Sequence, residues 1–321
     1  MTALRRIGST DLKTPPLVLG GNVFGWTADR ATSFAILDAF VDRGGTMIDT
    51  ADVYSAWVPG HHGGESESVI GEWLRTSSKR DRVLLATKVG MLPGEGGEKL
   101  APARIAAACE ASLTRLGVDT IDLYYAHQDD ENVPQESMLA AFHALVQAGK
   151  VRVLGASNFH AARLKSANDI AHAHRLTAFH VLQPEYNLVS RTGFEGELQA
   201  HCVEYNIGAL PYYGLASGFL TGKYRSEADL AKSPRGARMG RLITEHARVL
   251  AALDAVAQET GASLAQLALA WLAAQPGVTA PIASATGVAQ LEELTGSWDV
   301  RLTKDQLDRL TLAGVEGTLA A

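Results

Sequence analysis

A closed (β/α)8 barrel of the α/β class, with a short N-terminal β-hairpin and extra C-terminal helices, is the fold that this 321-residue sequence predicts. Two observations carry it. Eight short apolar runs are each followed by a segment with helical apolar spacing, so strands alternate with helices and pair in parallel. Eight such units close on themselves. The rival, an open doubly wound sheet, usually places a Gly-rich dinucleotide fingerprint after its first strand. Leu19-Gly20-Gly21-Asn22-Val23-Phe24-Gly25 lacks that spacing and opens no helix. No Pro/Gly/Ser linker or composition shift divides the chain, so residues 1–321 read as one domain.

Residues 3–14 read as a hairpin turning at Gly8-Ser9-Thr10-Asp11, too short to stand alone and so expected to plug or cap something. The barrel units follow as strand 17–20 with helix 31–43, strand 46–49 with helix 66–76, and strand 83–88 with helix 102–116. Next come strand 121–126 with helix 134–148, strand 151–156 with helix 160–173, and strand 181–183 with helix 194–205. Strand 208–212 leads through a long segment to helix 245–259, and strand 278–283 is followed by helix 287–295. In the first barrel helix, Phe34, Leu37 and Val41, flanked by Ile36 and Phe40, make one apolar stripe, and Gly44-Gly45 ends it. Residues 263–274 and 303–313 are extra helices, and 226–241 is the most loop-like stretch.

Hydrophobic residues make up 46% and charged residues 20%, enough apolar surface for a normal core. The net charge of −6 and the absence of a Lys/Arg cluster argue against a nucleic-acid or anionic-membrane surface. No apolar run reaches the length of a membrane span, and no signal peptide is indicated. Cys109 and Cys202 lie far apart in helical patterns, which favours buried free thiols in a reducing, cytoplasmic compartment. The acidic surface and the lack of an amphipathic seam favour a monomer, with a homo-oligomer left open.

Chemistry in such a barrel sits at the C-terminal strand ends. Read in order, those ends carry Gly21-Asn22, Asp49 with Tyr54 beyond it, Lys88, His127, Ser157-Asn158, Gln183, Tyr212-Tyr213 and Ser284-Ala285-Thr286. A phenol has a pKa near 10 and is a poor acid at neutral pH. A lysine ammonium beside it stabilises the phenolate and lowers that pKa, a carboxylate keeps the lysine protonated, and a neutral histidine donates to a carbonyl oxygen. Tyr54, Lys88, Asp49 and His127 together suit protonation of a forming alkoxide. Taken singly, Lys88 reads as a salt-bridged strand cap, His127 as a core histidine and Asp52 as a turn residue. His61-His62 lie in a Gly-rich loop without a paired acidic cluster, which argues against a metal there.

The ordered series of motifs resembles the aldo-keto reductase family over nearly the full length. The pieces are Gly44-Gly45-Thr46-Met47-Ile48-Asp49-Thr50-Ala51-Asp52-Val53-Tyr54, Gly64-Glu65-Ser66-Glu67-Ser68-Val69-Ile70-Gly71, Ala86-Thr87-Lys88 and Ile121-Asp122-Leu123-Tyr124-Tyr125-Ala126-His127. Gly155-Ala156-Ser157-Asn158-Phe159, Gln183-Pro184-Glu185-Tyr186-Asn187 and Leu215-Ala216-Ser217-Gly218-Phe219-Leu220-Thr221-Gly222-Lys223-Tyr224 complete it. The resemblance implies a nicotinamide cofactor and a catalytic tetrad of Asp49, Tyr54, Lys88 and His127, with Tyr54 as general acid/base. It implies Ser157, Asn158 and Gln183 on the carboxamide, Tyr212 stacked on the nicotinamide ring, and Leu215, Ser217, Gly218 and Lys223 around the pyrophosphate. Gly21, Asn22, Asp49, Tyr213, Gly214, Ser284, Thr286, Gln290 and Glu293 complete the expected cofactor contacts.

The adenosine end departs from the family pattern. Ala285 stands where a cation for a 2′-phosphate is usual, and Leu294 replaces an asparagine. Arg238 resembles a loop arginine that serves this purpose in related branches, so NADPH is expected in preference to NADH. Trp26 and Trp57 are expected to line the substrate mouth with the 58–64 loop, and Tyr125 or His160 to lie nearby. Apolar aromatics there suit bulky or ring-shaped carbonyls and alcohols, including sugars and steroid-like compounds. Two alternatives remain at this point: a non-catalytic nicotinamide-sensing subunit, and a metal-dependent barrel hydrolase using His127 with Asp129-Asp130-Glu131.

Overall fold

The structure, a computed structural model, describes residues 3–232 and 240–315. Arg238 therefore lies outside the described residues. Strands Arg5–Arg6 (β1) and Lys13–Thr14 (β2) pair antiparallel as the expected hairpin. The barrel strands are Val18–Gly20 (β3), Met47–Asp49 (β4), Leu84–Val89 (β5), Ile121–Ala126 (β6), Val151–Ser157 (β7), Val181–Gln183 (β8), Gly208–Ala209 (β9) and Ile282–Ala283 (β10). They form one sheet in the order β10-β3-β4-β5-β6-β7-β8-β9, every neighbour parallel. The two edges meet: Ala209 N donates to Gly277 O and Thr279 N to Ala209 O, and Ile282 N donates to Pro211 O at 2.8 Å. The sheet is thus closed, as predicted.

The intervening helices are Arg30–Asp42 (α1), Glu65–Ser77 (α2), Pro102–Leu116 (α3), Gln135–Gln147 (α4), Ala161–His174 (α5) and Glu197–Glu204 (α6). Gly240–Glu245 (α7), Ala247–Thr260 (α8), Leu264–Ala273 (α9), Val288–Thr295 (α10) and Lys304–Ala313 (α11) follow. Three differences from expectation have local causes. The sixth helix starts at Glu197 rather than 194, because Gly196 at φ +92° is not helical. The seventh and eighth strands are two residues each, and Pro211 and Pro281 lack the N–H that would extend their ladders. No helix among the described residues is long and apolar enough to cross a membrane.

The strand pleat sorts the core into two. Val18, Met47, Ala86, Leu123, Val153 and Val181 fill the barrel interior, while Leu19, Ile48, Leu85, Tyr124, Leu154 and Leu182 face the helices. The hairpin closes the bottom by adding Ile7 and Leu12 to the inner cluster. Gly8, at φ +53°, makes this possible, since a Cβ there would overlap the Gly208 nitrogen and the Asn206 carbonyl.

The same parity places the site. Two residues beyond Met47, Ala86, Leu123 and Val181 stand Asp49, Lys88, Tyr125 and Gln183, one layer above the apolar interior. Gly155 stands two beyond Val153, and a Cβ there would meet the Tyr125 ring at 2.5 Å. Tyr125 is fully buried in the inner cluster, with the Lys88 amine 5.9 Å from its ring centroid. Cys109 and Cys202 are buried and unpaired.

Candidate active site

Lys88 is the hub. It is completely buried, and its Nζ donates to Asp49 Oδ1 at 2.6 Å, to Thr50 O at 2.6 Å and to Tyr54 Oη at 3.3 Å. Gln183 Nε2 donates to the other carboxylate oxygen of Asp49 at 2.8 Å. Tyr54 reaches the centre from the loop after β4, and its ring lies edge-on to His127, with centroids 6.1 Å apart. The four residues of the expected tetrad therefore meet at one place. The Thr50 carbonyl as a third lysine partner had no signal in the sequence, because a backbone oxygen leaves none.

The electrostatics follow from burial. Desolvation works to lower the Lys88 pKa, but the Asp49 carboxylate and Tyr54 outweigh it and hold the ammonium protonated. Burial raises the Tyr54 phenol, and Lys88 opposes that rise without cancelling it. Lys88 thus pulls the phenol down as expected, while the larger cost of desolvating a phenolate leaves it above its ordinary value. Burial, and then Lys88, push His127 well below its ordinary value, so the imidazole is neutral. Its Nδ1 is sealed without a partner.

A row of rings leads outward. Tyr54 meets Trp57 edge to face at 5.7 Å, and Trp57 meets Trp26 at 5.7 Å. Trp57 is 49% exposed and Trp26 38%. Glu65 at the start of α2 anchors this loop, accepting from the backbone N–H of Ser55, His62 and Gly63. Met91, just beyond β5, is 41% exposed and lies on the same strand-end face; sequence reasoning passed over it. His160 is exposed and starts α5.

The expected cofactor residues form four groups. Ser157 Oγ donates to Gln183 O, Asn158 Nδ2 to His127 O and Ser157 Oγ, and Tyr212 Oη to Asn158 Oδ1 at 2.7 Å. Tyr213 packs edge-on against Tyr212 at 5.0 Å, followed by Gly214. Leu215 precedes a turn in which Ala216, Ser217 and Gly218 are all left-handed, at φ +47°, +56° and +98°, and the Lys223 amine lies against Gly218. Ser284 Oγ donates to Asn22 Oδ1 at 2.6 Å beside Gly21, and Thr286 N donates to Gln290 Oε1, with Glu293 exposed on the same helix.

This donor set fits a nicotinamide nucleotide. The hydroxyl and two amides beside Tyr212 match a carboxamide's donor and acceptor. The run of left-handed small residues beside a lysine makes a concave backbone suited to an anionic diphosphate. At the far end Ala285 and Leu294 are buried, and residues 282–295 contain no Lys or Arg.

Residues 16–313 match the sequence profile described as the Aldo/keto reductase family. The chain is 34% identical to the oxidoreductase YrpG of Bacillus subtilis (strain 168), over 95% of this chain and 93% of that protein. It is 32% identical to the L-glyceraldehyde 3-phosphate reductase of Escherichia coli O157:H7, over 90% and 85%. It is also 31% identical to a probable voltage-gated potassium channel subunit beta of Arabidopsis thaliana, over 95% and 94%.

Proposed function

The chain belongs to the aldo/keto reductase family, an NAD(P)H-dependent oxidoreductase by that membership, and we propose from this premise that it reduces bulky ring-bearing aldehydes or ketones to alcohols with NADPH. The observation that carries the reading is Lys88 Nζ shared between Asp49 and Tyr54. The nicotinamide, when bound, supplies hydride to the carbonyl carbon. Tyr54 gives its phenolic proton to the carbonyl oxygen, and Lys88 stabilises the phenolate left behind. Neutral His127 orients the carbonyl as a hydrogen-bond donor, and Asp49 keeps Lys88 charged and in place. In the reverse direction Tyr54 Oη takes the alcohol's proton.

Ser157, Asn158 and Gln183 hold the carboxamide, Tyr212 the ring face, and Ser217, Gly218 and Lys223 the diphosphate. NADPH is preferred to NADH through Arg238, a choice that coenzyme titration of Arg238→Ala tests. Trp26, Trp57 and Met91 make an apolar entrance suited to sugar, steroid-like or aromatic rings. A monomer in the cytoplasm is part of the same proposal.

The likeness to a channel β subunit supports a second reading, a non-catalytic nicotinamide-sensing subunit. The buried Lys88–Asp49 pair favours catalysis over it, since burying a charge pair is costly and holding a phenol ready for proton transfer gives it a use. Family membership removes the basis for a metal-dependent hydrolase. A panel of carbonyls and alcohols with NADPH and NADH decides: the catalytic reading expects turnover that Tyr54→Phe lowers by about 10²- to 10⁴-fold with nicotinamide binding retained. NADPH binding with no turnover of any panel member would favour the sensing subunit.

A further inference from the structure

Outside the barrel wall, beneath α2 and α3, lies a sealed group of charges that the proton chemistry does not use. Asp52 is fully buried, and its backbone N–H donates to Lys88 O at 3.2 Å. One carboxylate oxygen faces Arg104 Nη2 at 3.4 Å; the other is sealed without a partner. Glu67, also fully buried, is satisfied by Thr87 Oγ1 at 2.6 Å and by Arg115. Tyr124 Oη, on the outward face of β6, is sealed without a partner as well.

Arg104 reaches from the first turn of α3 into the loop after β5. Its Nε donates to Leu92 O at 3.0 Å and Nη1 to Glu95 O at 3.3 Å, while Nη2 turns back to Asp52. The loop is built around the guanidinium: Gly94 and Gly97 exchange backbone hydrogen bonds, and a Cβ on Gly94 would come 2.7 Å from Nη1. The loop carries Met91 and packs Leu92 against Gly63, where a Cβ would meet Leu92 Cδ2 at 2.7 Å. Gly63 belongs to the loop that holds Trp57.

We propose that Arg104, anchored by the Asp52 carboxylate, is a positioning residue that straps the 91–97 loop against the 55–64 loop and so sets the substrate entrance, and that protonation of Asp52 releases the strap. The inference rests on the carbonyl-reductase reading for its catalytic consequence, though the strap itself does not. An ionised Asp52 gives Arg104 an opposite charge, whereas the protonated acid leaves it only a neutral oxygen. Burial, and then Glu67, raise the Asp52 carboxyl to about 7, with Arg104 and Arg115 opposing. The groups facing it are Glu67 from α2, Arg104 and Arg115 from α3 and the Tyr124 phenol from β6, which burial keeps protonated. Near neutral pH the strap therefore exchanges between held and released.

Hydrogen exchange of residues 91–97, corrected for intrinsic rates, tests the strap without any turnover. Protection is expected to be higher at pH 8.5 than at pH 6 in the wild type, and low and pH-independent in Asp52→Asn. Steady-state kinetics tests the consequence. The KM for a bulky ring ketone is expected to rise about tenfold from pH 8.5 to pH 6 with kcat unchanged, the size of one charge-assisted hydrogen bond. Arg104→Lys, which keeps the charge but cannot hold both loop carbonyls, is expected to raise KM at both pH values while nicotinamide fluorescence quenching stays normal. Wild-type exchange that ignores pH overturns the strap even if Asp52→Asn fails to fold. Pronounced pH-dependent exchange with a flat KM overturns its role at the entrance, whereas absent turnover with every substrate strikes the reductase reading alone.

Discussion

Gln183 donates from Nε2 to Oδ2 of Asp49 at 2.8 Å, across the barrel and 134 residues away in the chain. With Lys88 on Oδ1, both oxygens of Asp49 are engaged, so the carboxylate orients the lysine and is not placed to act as a base. Asp49→Asn keeps the shape and removes the charge. It leaves a buried ammonium without its counter-charge, a change expected to cost about 3–5 kcal/mol of stability. Turnover is expected to fall by about two orders of magnitude as the phenol loses a charged lysine beside it. Urea unfolding and NADPH oxidation rates check both, and a variant with wild-type midpoint and rate would show that the pair is incidental.

Proton chemistry at Tyr54 has a pH signature. Burial raises the phenol above its ordinary value, so it stays protonated through neutrality; burial and Lys88 keep His127 neutral far below pH 6.5. At saturating carbonyl, kcat for reduction is therefore expected to be flat from about pH 6 to 9, with no inflection near the ordinary histidine pKa. Alcohol oxidation, which needs the phenolate, is expected to rise with pH over the same range. A kcat for reduction that halves on crossing pH 6.5 would place a titrating histidine in the step.

The hairpin plug makes a separate prediction about stability. Gly8→Ala forces a side chain into a left-handed position and against the Gly208 nitrogen. A loss of about 2–4 kcal/mol is expected from backbone strain and overpacking together. The kcat of the folded variant is expected to be unchanged, because the plug lies at the end of the barrel opposite Lys88. Thermal melts beside initial rates separate the two effects.

The barrel was legible because its periods are local. The short apolar run Thr46-Met47-Ile48 and the helical spacing of Phe34, Leu37 and Val41 are read within one strand or turn, and eight such units force closure. The strand-end residues Asp49, Lys88 and Gln183 were legible because each closes a short apolar run at the end of the barrel where chemistry sits; the structure adds that they continue the inward parity of Met47, Ala86 and Val181. What was hidden is long-range. Nothing near Gln183 announces Asp49 as its partner. Arg104, two residues into a helix after Pro102, reads as a solvent-facing charge until the 91–97 loop folds over it. Asp52 looked like a turn residue because its burial is imposed by α2 and α3, which lie beyond the local window.

That buried carboxyl makes the last prediction, in which stability and function move apart. The folded Asp52 carboxyl titrates at about 7 against 3.8 for the ordinary group. An acid raised on folding contributes stability that is present below the unfolded pKa and lost as pH rises through the folded one. The wild type therefore carries a penalty at pH 8 that it lacks at pH 4, on the order of 4 kcal/mol. Asparagine resembles the protonated acid and never ionises. Asp52→Asn is expected to match the wild type at pH 4 and to exceed it in urea stability at pH 8, with the gap opening between those values. If the strap is what the carboxylate serves, the same variant gains stability at pH 8 while its 91–97 loop loses protection. A variant that is less stable than the wild type at pH 8 would mean that the Arg104 contact outweighs the cost of burying the charge.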